Sequence, residues 1–194
     1  EVRMEIDARE KRSLYRVLAG AVVPRPIGWI STRGTDGDNL APYSFFNVAT
    51  PSPPTLAFSA GPDGNERKDS VENAEESGAF AHNVVTADLA EAMNATSTGA
   101  AVDEFGPAGV TKRECETVDA PSVDESPVVF ECTVVDTVEL GVSTLVIGEV
   151  QYVRIDDRVT TDGKLDTGKL DALGRMAGSE YTHTRDRFSM DRPE

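Results

Sequence analysis

The strongest constraint on the fold is a pair of long alternating runs, 126–140 and 144–155, separated by a glycine-containing turn at 141–143. In the first run, one face would carry Phe130, Cys132, Val134, Val138 and Leu140, interrupted by Asp136. The other face would carry Glu131, Thr133, Thr137 and Glu139. A period of two residues is that of a strand with one buried face. The two runs therefore predict an antiparallel hairpin.

Shorter segments of the same kind precede the hairpin, with Gly, Pro and Asp clusters between them. We predict strands at 26–32, 40–50, 55–60 and 79–85. Helical segments are few and short: an arm at 1–19, a helix at about 70–77 and another at 87–95. Residues 96–125 read as irregular, and 156–194 as a polar tail with one short helix. This pattern predicts a mainly β, antiparallel barrel rather than an α/β sheet.

The length of 194 residues indicates a single domain, 1–194, with its core at about 14–156 and a C-terminal extension at 157–194. No apolar run reaches the roughly 18–20 residues of a membrane span. The N-terminus is charged and does not resemble a signal peptide. We therefore expect a soluble, cytoplasmic protein.

The chain is strongly acidic, with 34 Asp and Glu against 19 Lys and Arg and a formal net charge of −15. The negative electrostatic field of such a chain repels phosphate groups and so disfavours nucleic acid as a partner. Excess carboxylate with scarce lysine is typical of a surface adapted to high salt, which we favour over an ordinary acidic enzyme.

Several kinds of catalytic site are disfavoured. Cys115 and Cys132, even with His82 and His183, lack the spacing of a zinc site. The acids that flank Cys115 would raise its pKa, and Cys132 reads as a buried residue in a strand. We interpret His82 as structural and see no carboxylate pair for acid–base catalysis. The chain contains neither GxGxxG nor GxxxxGK[ST], which disfavours a Rossmann site and a P-loop.

Residues 67–70, with the sequence RKDS, form the strongest candidate site. Lys68 immediately precedes the predicted helix. Asp69 with Glu72 fits a capping box at its start, and Gly78 fits its end. Free helix amides, a Ser70 hydroxyl and a cation together suit an anion, most naturally a phosphate. The alternative is ordinary helix capping with a solvated lysine.

A second candidate is SFFN at 44–47, where polar and aromatic residues share one strand. Such a stretch could hydrogen-bond the edge of a planar ring. The alternative is that the phenylalanines fill the core, which we favour for Phe46. Trp29, the single tryptophan, is also expected in the core.

An ordered set of motifs closely resembles the flavin reductase-like, FMN-binding split-barrel family, which includes flavoredoxin. The motifs are PRPIGWIST (24–32), NLAPYSFFN (39–47), PPTLAFS (53–59), RKDS (67–70), FAHNVV (80–85), EAMNAT (91–96), SPVVFEC (126–132) and LVIGEV (145–150). The similarity extends from about residue 14 to 190. It implies a six-stranded antiparallel split barrel of Greek-key type with peripheral helices. It also implies a homodimer that binds FMN near the subunit interface.

The resemblance further implies which residues bind the cofactor. The positions that would line the flavin ring and ribityl chain are Ser31, Thr32, Ser44, Phe45, Phe46 and Asn47. The positions near the phosphate are Ser59, Lys68 and Ser70, with Asp69 capping the helix. Asn83 matches a position close to the flavin. Tyr181 and His183 lie in a tail that could reach a partner's site. No catalytic residue is assigned, because the flavin itself carries out the hydride chemistry.

The resemblance implies an oxidoreductase that passes electrons from NAD(P)H through flavin to an acceptor. Two alternatives stay open: an FMN carrier that receives electrons from a protein partner, and a barrel without flavin that serves as a dimeric interaction module.

Overall fold

The structure is a computed structural model that describes residues 3–10, 13–35, 37–62, 67–97 and 103–193. In these residues the strands are β1 (Arg25–Pro26), β2 (Gly28–Thr32), β3 (Asn39–Tyr43), β4 (Phe46–Pro51), β5 (Pro54–Ala60), β6 (Ala79–Asn83), β7 (Lys112–Glu114), β8 (Pro121–Val123), β9 (Val128–Leu140), β10 (Ser143–Ile155), β11 (Thr160–Thr161), β12 (Lys164–Leu165), β13 (Leu173–Arg175) and β14 (Tyr181–His183). The helices are α1 (Tyr15–Ala21), α2 (Asp69–Ser77), α3 (Ala90–Ala95), α4 (Phe105–Ala108) and α5 (Thr167–Leu170). Short 3₁₀ turns lie at Ala8–Glu10, Ala87–Leu89 and Asp157–Val159.

The main sheet is antiparallel, with strand order β3-β2-β6-β9-β10-β5-β4. Its two edge strands, β3 and β4, are consecutive in the chain, and only Ser44 and Phe45 separate them. A two-residue link cannot span an open seven-stranded sheet, because neighbouring strands lie about 4.8 Å apart. The sheet therefore curls into a barrel, which confirms the predicted split barrel. The expected count of six strands results when the bent stretch β3–β4 is counted once.

The predicted hairpin is present as β9 and β10, but the predicted faces of β9 hold only for its first half. Cys132 is fully buried, and Phe130 and Val134 pack against the same core. In the pairing with β10, Val134 faces Gly148 and Asp136 faces Ile147, so Val135 is a bulged, unpaired residue. A bulge reverses the phase of the alternation. Leu140, expected to face the core, is accordingly 54% exposed.

Two buried clusters lie on the two faces of strand β2. Ile30 packs inside the barrel with Phe46, Phe58 and Phe80. Trp29 packs on the opposite face in a cluster that includes Leu40, Val85, Met93 and Phe105. The indole Nε1 of Trp29 donates to Thr96 Oγ1 over 2.9 Å. The predictions that Trp29 and Phe46 belong to the core are confirmed.

The C-terminal segment returns to the barrel. Strand β13 pairs with β1 on one side and with β14 on the other, which forms a second, three-stranded sheet. Residues expected to be irregular also contain short elements, namely α4, β7 and β8. In the described part of the chain, no helix combines the length and apolarity needed to cross a membrane.

Candidate functional site

The first turn of α2 lies at the centre of the candidate site. The helix begins at Asp69, and Lys68 is its N-cap residue, with an extended backbone (φ −74°, ψ 137°). The predicted capping box is therefore wrong: Asp69 lies one position inside the helix, and the side chain at the N-cap, Lys68, makes no capping hydrogen bond with the described residues. The predicted end is confirmed, since Gly78 adopts the left-handed conformation (φ 69°). The amides of Val71 and Glu72 donate to the carbonyl of Lys68, so the amides of Asp69 and Ser70 are the ones that precede the intrahelical bonds.

The charges around this helix end are mixed. Lys68 is half-buried, whereas Arg67 and Asp69 are exposed. Arg67 is engaged with Glu75, whose Oε2 lies 2.8 Å from Nη1. Lys68 is the N-cap residue, and the helix dipole favours an anion at this end.

A buried chain of hydrogen bonds holds this turn against the barrel. The Tyr43 hydroxyl donates to Ser70 Oγ over 2.8 Å, and Ser70 Oγ donates to Asn39 Oδ1. Asn39 Nδ2 donates to Glu104 Oε1 over 3.1 Å, and the amide of Leu40 donates to Glu104 Oε2 over 3.0 Å. Ser70 is 1% exposed, so the interior takes up its hydroxyl.

Glu104 is the residue in this chain that sequence reasoning missed. The acids were expected on a solvated surface, yet Glu104 is 3% exposed and Glu131 is equally buried. Burial is the main cause that raises the pKa of Glu104 above its usual value. Glu131 accepts hydrogen bonds from the amides of Glu116 (2.9 Å) and Thr117 (2.7 Å). Nothing local could have identified Glu104, because its partner Asn39 lies 65 residues away.

The stretch 44–47 adjoins the same turn. Ser44 follows Tyr43 directly and is half-buried, and Phe45 is 44% exposed. Phe46 points into the core, whereas Asn47 is exposed and its Oδ1 accepts from the amide of Val48 over 2.8 Å. Beside this stretch, the amide of Ser59 donates to the carbonyl of Phe45 over 2.7 Å. The structure thus brings the second candidate stretch next to the RKDS segment.

Thr32 lies near the same helix, and Ser31 does not. Asn73 on α2 donates from Nδ2 to Thr32 Oγ1 over 3.3 Å. Successive side chains of a strand alternate between faces. Ser31 therefore points to the opposite side of β2, where its Oγ donates to the carbonyl of Pro121 over 2.6 Å.

Asn83 lies with Ser31 on that opposite side. Its Nδ2 donates to Ser31 Oγ (3.0 Å) and to the carbonyl of Trp29 (3.1 Å), and its Oδ1 accepts from the amide of Val123 over 2.8 Å. Ser31 and Asn83 have no exposed surface. Direct contact with a ligand would require these bonds to break.

His82 and the two cysteines, considered for other chemistry, are buried or half-buried. His82 is 6% exposed between the rings of Phe46 and Phe130, and burial lowers its pKa to about 4. Burial raises the pKa of Cys115 to about 12, and the nearby Glu131 adds to this shift more than the flanking Glu114 does. Burial also raises the pKa of Cys132. Within the described ranges, no group of His, Cys, Asp and Glu side chains could hold a metal ion.

Comparison with known proteins shows which family the chain resembles. The flavin reductase like domain matches residues 20–173. An uncharacterized protein from Halalkalibacterium halodurans is 36% identical over 203 residues, which cover 99% of this chain and 97% of that protein. Another from Deinococcus radiodurans is 37% identical over 97% of this chain and 88% of its own length.

Among solved structures, nitrilotriacetate monooxygenase component B from Bacillus cereus superimposes with a TM-score of 0.92. It is 27% identical in sequence, and the alignment covers 98% of this chain and all of the other. The match of the domain over most of the chain and the two relatives above 30% identity agree. The chain belongs to the flavin reductase-like family.

Proposed function

We propose that this protein binds FMN and acts as an oxidoreductase of the flavin reductase type, which passes electrons from NAD(P)H through flavin to an acceptor. The observation that carries the proposal is the uncapped N-terminus of α2 with Lys68 at its cap, tied through Ser70 and Tyr43 to the stretch 44–47. An anion site and a partly exposed aromatic stretch thus lie side by side, as a flavin mononucleotide requires.

The donor set at the helix end fits a phosphate group. Lys68 supplies a cation, and the amides of Asp69 and Ser70 supply main-chain donors. The carboxylate of Asp69 is exposed, so its side chain can turn to solvent while its amide faces the anion. Ser59, whose amide donates to the carbonyl of Phe45, is the further position that the resemblance places near the phosphate.

The other candidate residues fall into two groups: those that would contact the flavin and those that support the strands behind it. We assign contact with the flavin ring and ribityl chain to Ser44, Phe45 and Asn47, with Phe46 and Thr32 beneath them. We assign Ser31 and Asn83 to supporting β2 and β6 from the opposite face, because their polar atoms bond to each other and to main chain. When bound, the flavin would supply the hydride and electron chemistry, and this chain would supply position and exclusion of water.

We also propose that two copies form a homodimer. Exposed apolar side chains line or adjoin a groove of about 440 Å³ between β4 and β10, namely Val48, Tyr152, Val153 and Ile155. A groove of this kind on a soluble protein indicates an interaction surface. A second copy of the chain is the partner that the family resemblance implies.

The test begins with the visible spectrum of the protein purified in high salt, before and after anaerobic addition of NADH or NADPH. Flavin bands that bleach support the reductase. Bands that persist with both nucleotides would instead favour a carrier supplied by a protein partner. A colourless protein that does not take up added FMN would refute both and leave the interaction module.

A variant tests the phosphate site itself. Lys68→Ala should weaken FMN binding about tenfold, as expected from the loss of a charge-assisted contact of about 1.5 kcal/mol, and should leave riboflavin binding unchanged. Lys164→Ala, which removes an exposed lysine on β12, is the matched control. Equal loss of FMN and riboflavin affinity would contradict the role of Lys68 at the phosphate.

A further inference from the structure

Two arginines and a tyrosine form a row across the three-stranded sheet. Arg25 on β1 is directly opposite Arg175 on β13, and Arg175 is directly opposite Tyr181 on β14. Directly opposite residues of antiparallel strands project from the same face of the sheet. Like charges in such a pair destabilise a sheet. Main-chain hydrogen bonds offset this cost in the folded protein, and they leave both charges on the sheet.

Neither arginine forms an ion pair with a carboxylate of the described residues, although the chain contains 34 acidic residues. Both guanidinium groups donate to main-chain carbonyls instead. Arg25 Nη1 donates to Ala19 and Val22, each over 2.7 Å, and its Nη2 donates to Met176 over 3.0 Å. Arg175 Nη1 donates to Glu180 over 3.2 Å, and its Nη2 donates to Gly178. Carbonyl dipoles satisfy these donors without cancelling the charge. The two arginines therefore keep their charge side by side within a protein of net charge −15.

Burial strengthens the effect of one of these charges. Arg25 is only 6% exposed, and its Nε is a buried nitrogen with no hydrogen-bond partner among the described residues. A charge in a site of low dielectric acts over a longer distance than one in water. Arg175 is half-buried and so can contact a ligand directly.

Aromatic rings lie along the same row. The Arg175 guanidinium lies 4.5 Å from the centre of the Tyr181 ring, and the Arg25 guanidinium lies 5.9 Å from that of Phe45. The Tyr15 ring lies 6.3 Å from the Phe45 ring. These rings offer flat apolar walls next to the two cations.

A cavity of about 190 Å³ opens at this place, bordered by Tyr15, Tyr43, Ser44, Arg175 and Tyr181. Sites for drug-sized ligands usually measure roughly 300–1,000 Å³, so this cavity suits a ligand with one ring. Ser44 is also the first residue of the stretch assigned to the flavin. A compound in the cavity would therefore lie beside that stretch.

We propose that this cavity binds a single-ring aromatic carboxylate, with the ring between Tyr15 and Tyr181 and the carboxylate facing Arg175. Arginine suits this partner because its planar donors match the two carboxylate oxygens. The binding site stands on the geometry of the cavity alone. The further interpretation, that the bound compound is the acceptor of electrons from the flavin, rests on the proposed function.

Calorimetric titration with benzoate and with benzamide tests the charge requirement. The two probes have nearly the same shape, and only benzoate is an anion. We expect benzoate to bind at least ten times more tightly than benzamide at 0.15 M salt. Equal affinities, or no heat from either probe at millimolar concentration, would overturn the proposal.

Variants test the assignment to Arg175. Arg175→Gln should lower the affinity for benzoate to that for benzamide, and Arg175→Lys should retain part of the difference. Arg158→Gln, which alters an exposed arginine paired with Asp156, is the matched control. If Arg175→Gln does not fold, Arg175→Lys and Tyr181→Ala are measured instead. Full benzoate affinity in Arg175→Lys, together with unchanged affinity and stoichiometry in Tyr181→Ala, would contradict the site.

FMN titration of the same proteins separates the two proposals. If the wild type binds benzoate but no FMN, the proposed function fails and the cavity stands. If FMN displaces benzoate, the cavity belongs to the flavin site and the inference is overturned. If NADH displaces benzoate while FMN does not, the cavity holds the anionic nucleotide in preference to an acceptor, which also overturns it.

Discussion

The hydroxyl of Tyr43 donates to Ser70 Oγ over 2.8 Å and so joins the residue before the 44–47 stretch to the first turn of α2. This bond sets the spacing between the proposed ring site and the proposed phosphate site. Neither residue is a proposed ligand through that bonded atom. The geometry of the site therefore depends on an interior contact.

Removal of this hydroxyl should weaken flavin binding without unfolding the protein. Tyr43→Phe loses one buried hydrogen bond, which contributes about 1 kcal/mol. We expect an affinity for FMN roughly five times lower, measured by quenching of flavin fluorescence. Ser189→Ala removes an exposed hydroxyl from the C-terminal segment and should bind as the wild type does. An unchanged dissociation constant in Tyr43→Phe would show that the bond does not position the site.

Truncation of Glu104 should destabilise the fold more than its conservative replacement. Glu104→Ala leaves the amide of Leu40 and Nδ2 of Asn39 buried without an acceptor, at a cost of about 1–3 kcal/mol for each group. Glu104→Gln keeps one acceptor oxygen, so we expect it to lose about half as much. Urea denaturation of both variants measures the difference. Equal stabilities of the Ala and Gln variants would contradict the role of these bonds.

His82 should make the protein sensitive to acid. Burial lowers its folded-state pKa from 6.5 to about 4, so the folded state excludes a proton that the unfolded state binds. Stability is full above pH 6.5 and falls as the pH drops toward 4, by about 3 kcal/mol. We expect the free energy of unfolding of His82→Leu to depend less on pH across this window. His183→Gln alters the other, exposed histidine and should follow the wild-type profile. Parallel profiles for the wild type and His82→Leu would refute the prediction.

The close approach at Gly148 should not tolerate a side chain. A Cβ at this position would overlap the ring of Phe80 and lie 3.1 Å from Cβ of Cys132. Both neighbours are fully buried, so Gly148→Ala should cost about 1–3 kcal/mol, measured by thermal unfolding. Gly106 lies in α4, where a Cβ would meet nothing within 4 Å, so Gly106→Ala should be neutral or slightly stabilising. A neutral Gly148→Ala would mean that the barrel interior adjusts.

Low salt should weaken the proposed dimer and its hold on FMN. Each protomer carries a net charge of −15, and the repulsion between protomers extends from about 10 Å at 0.1 M salt to about 30 Å at 0.01 M. We expect sedimentation velocity to show more monomer and less bound flavin after desalting. Sucrose at the same osmolality serves as the control. An unchanged dimer loaded with FMN at low ionic strength would contradict the prediction.

Local patterns in the sequence were sufficient for most of the elements. The alternation in 126–140 and 144–155 predicted the long hairpin, and Gly78 marked the end of α2. These features depend on backbone geometry and side-chain period over a few residues. The same kind of local pattern predicts an anion site at RKDS.

Tertiary structure alone decided which candidates share a site. Strand alternation carried Ser31 to the face away from Thr32, and the bulge at Val135 reversed a face that periodicity had predicted. Glu104 and Asn39 meet across 65 residues, and Arg25 faces Arg175 only because β13 returns to β1. Such contacts depend on strand register and chain closure, which no short window of sequence contains.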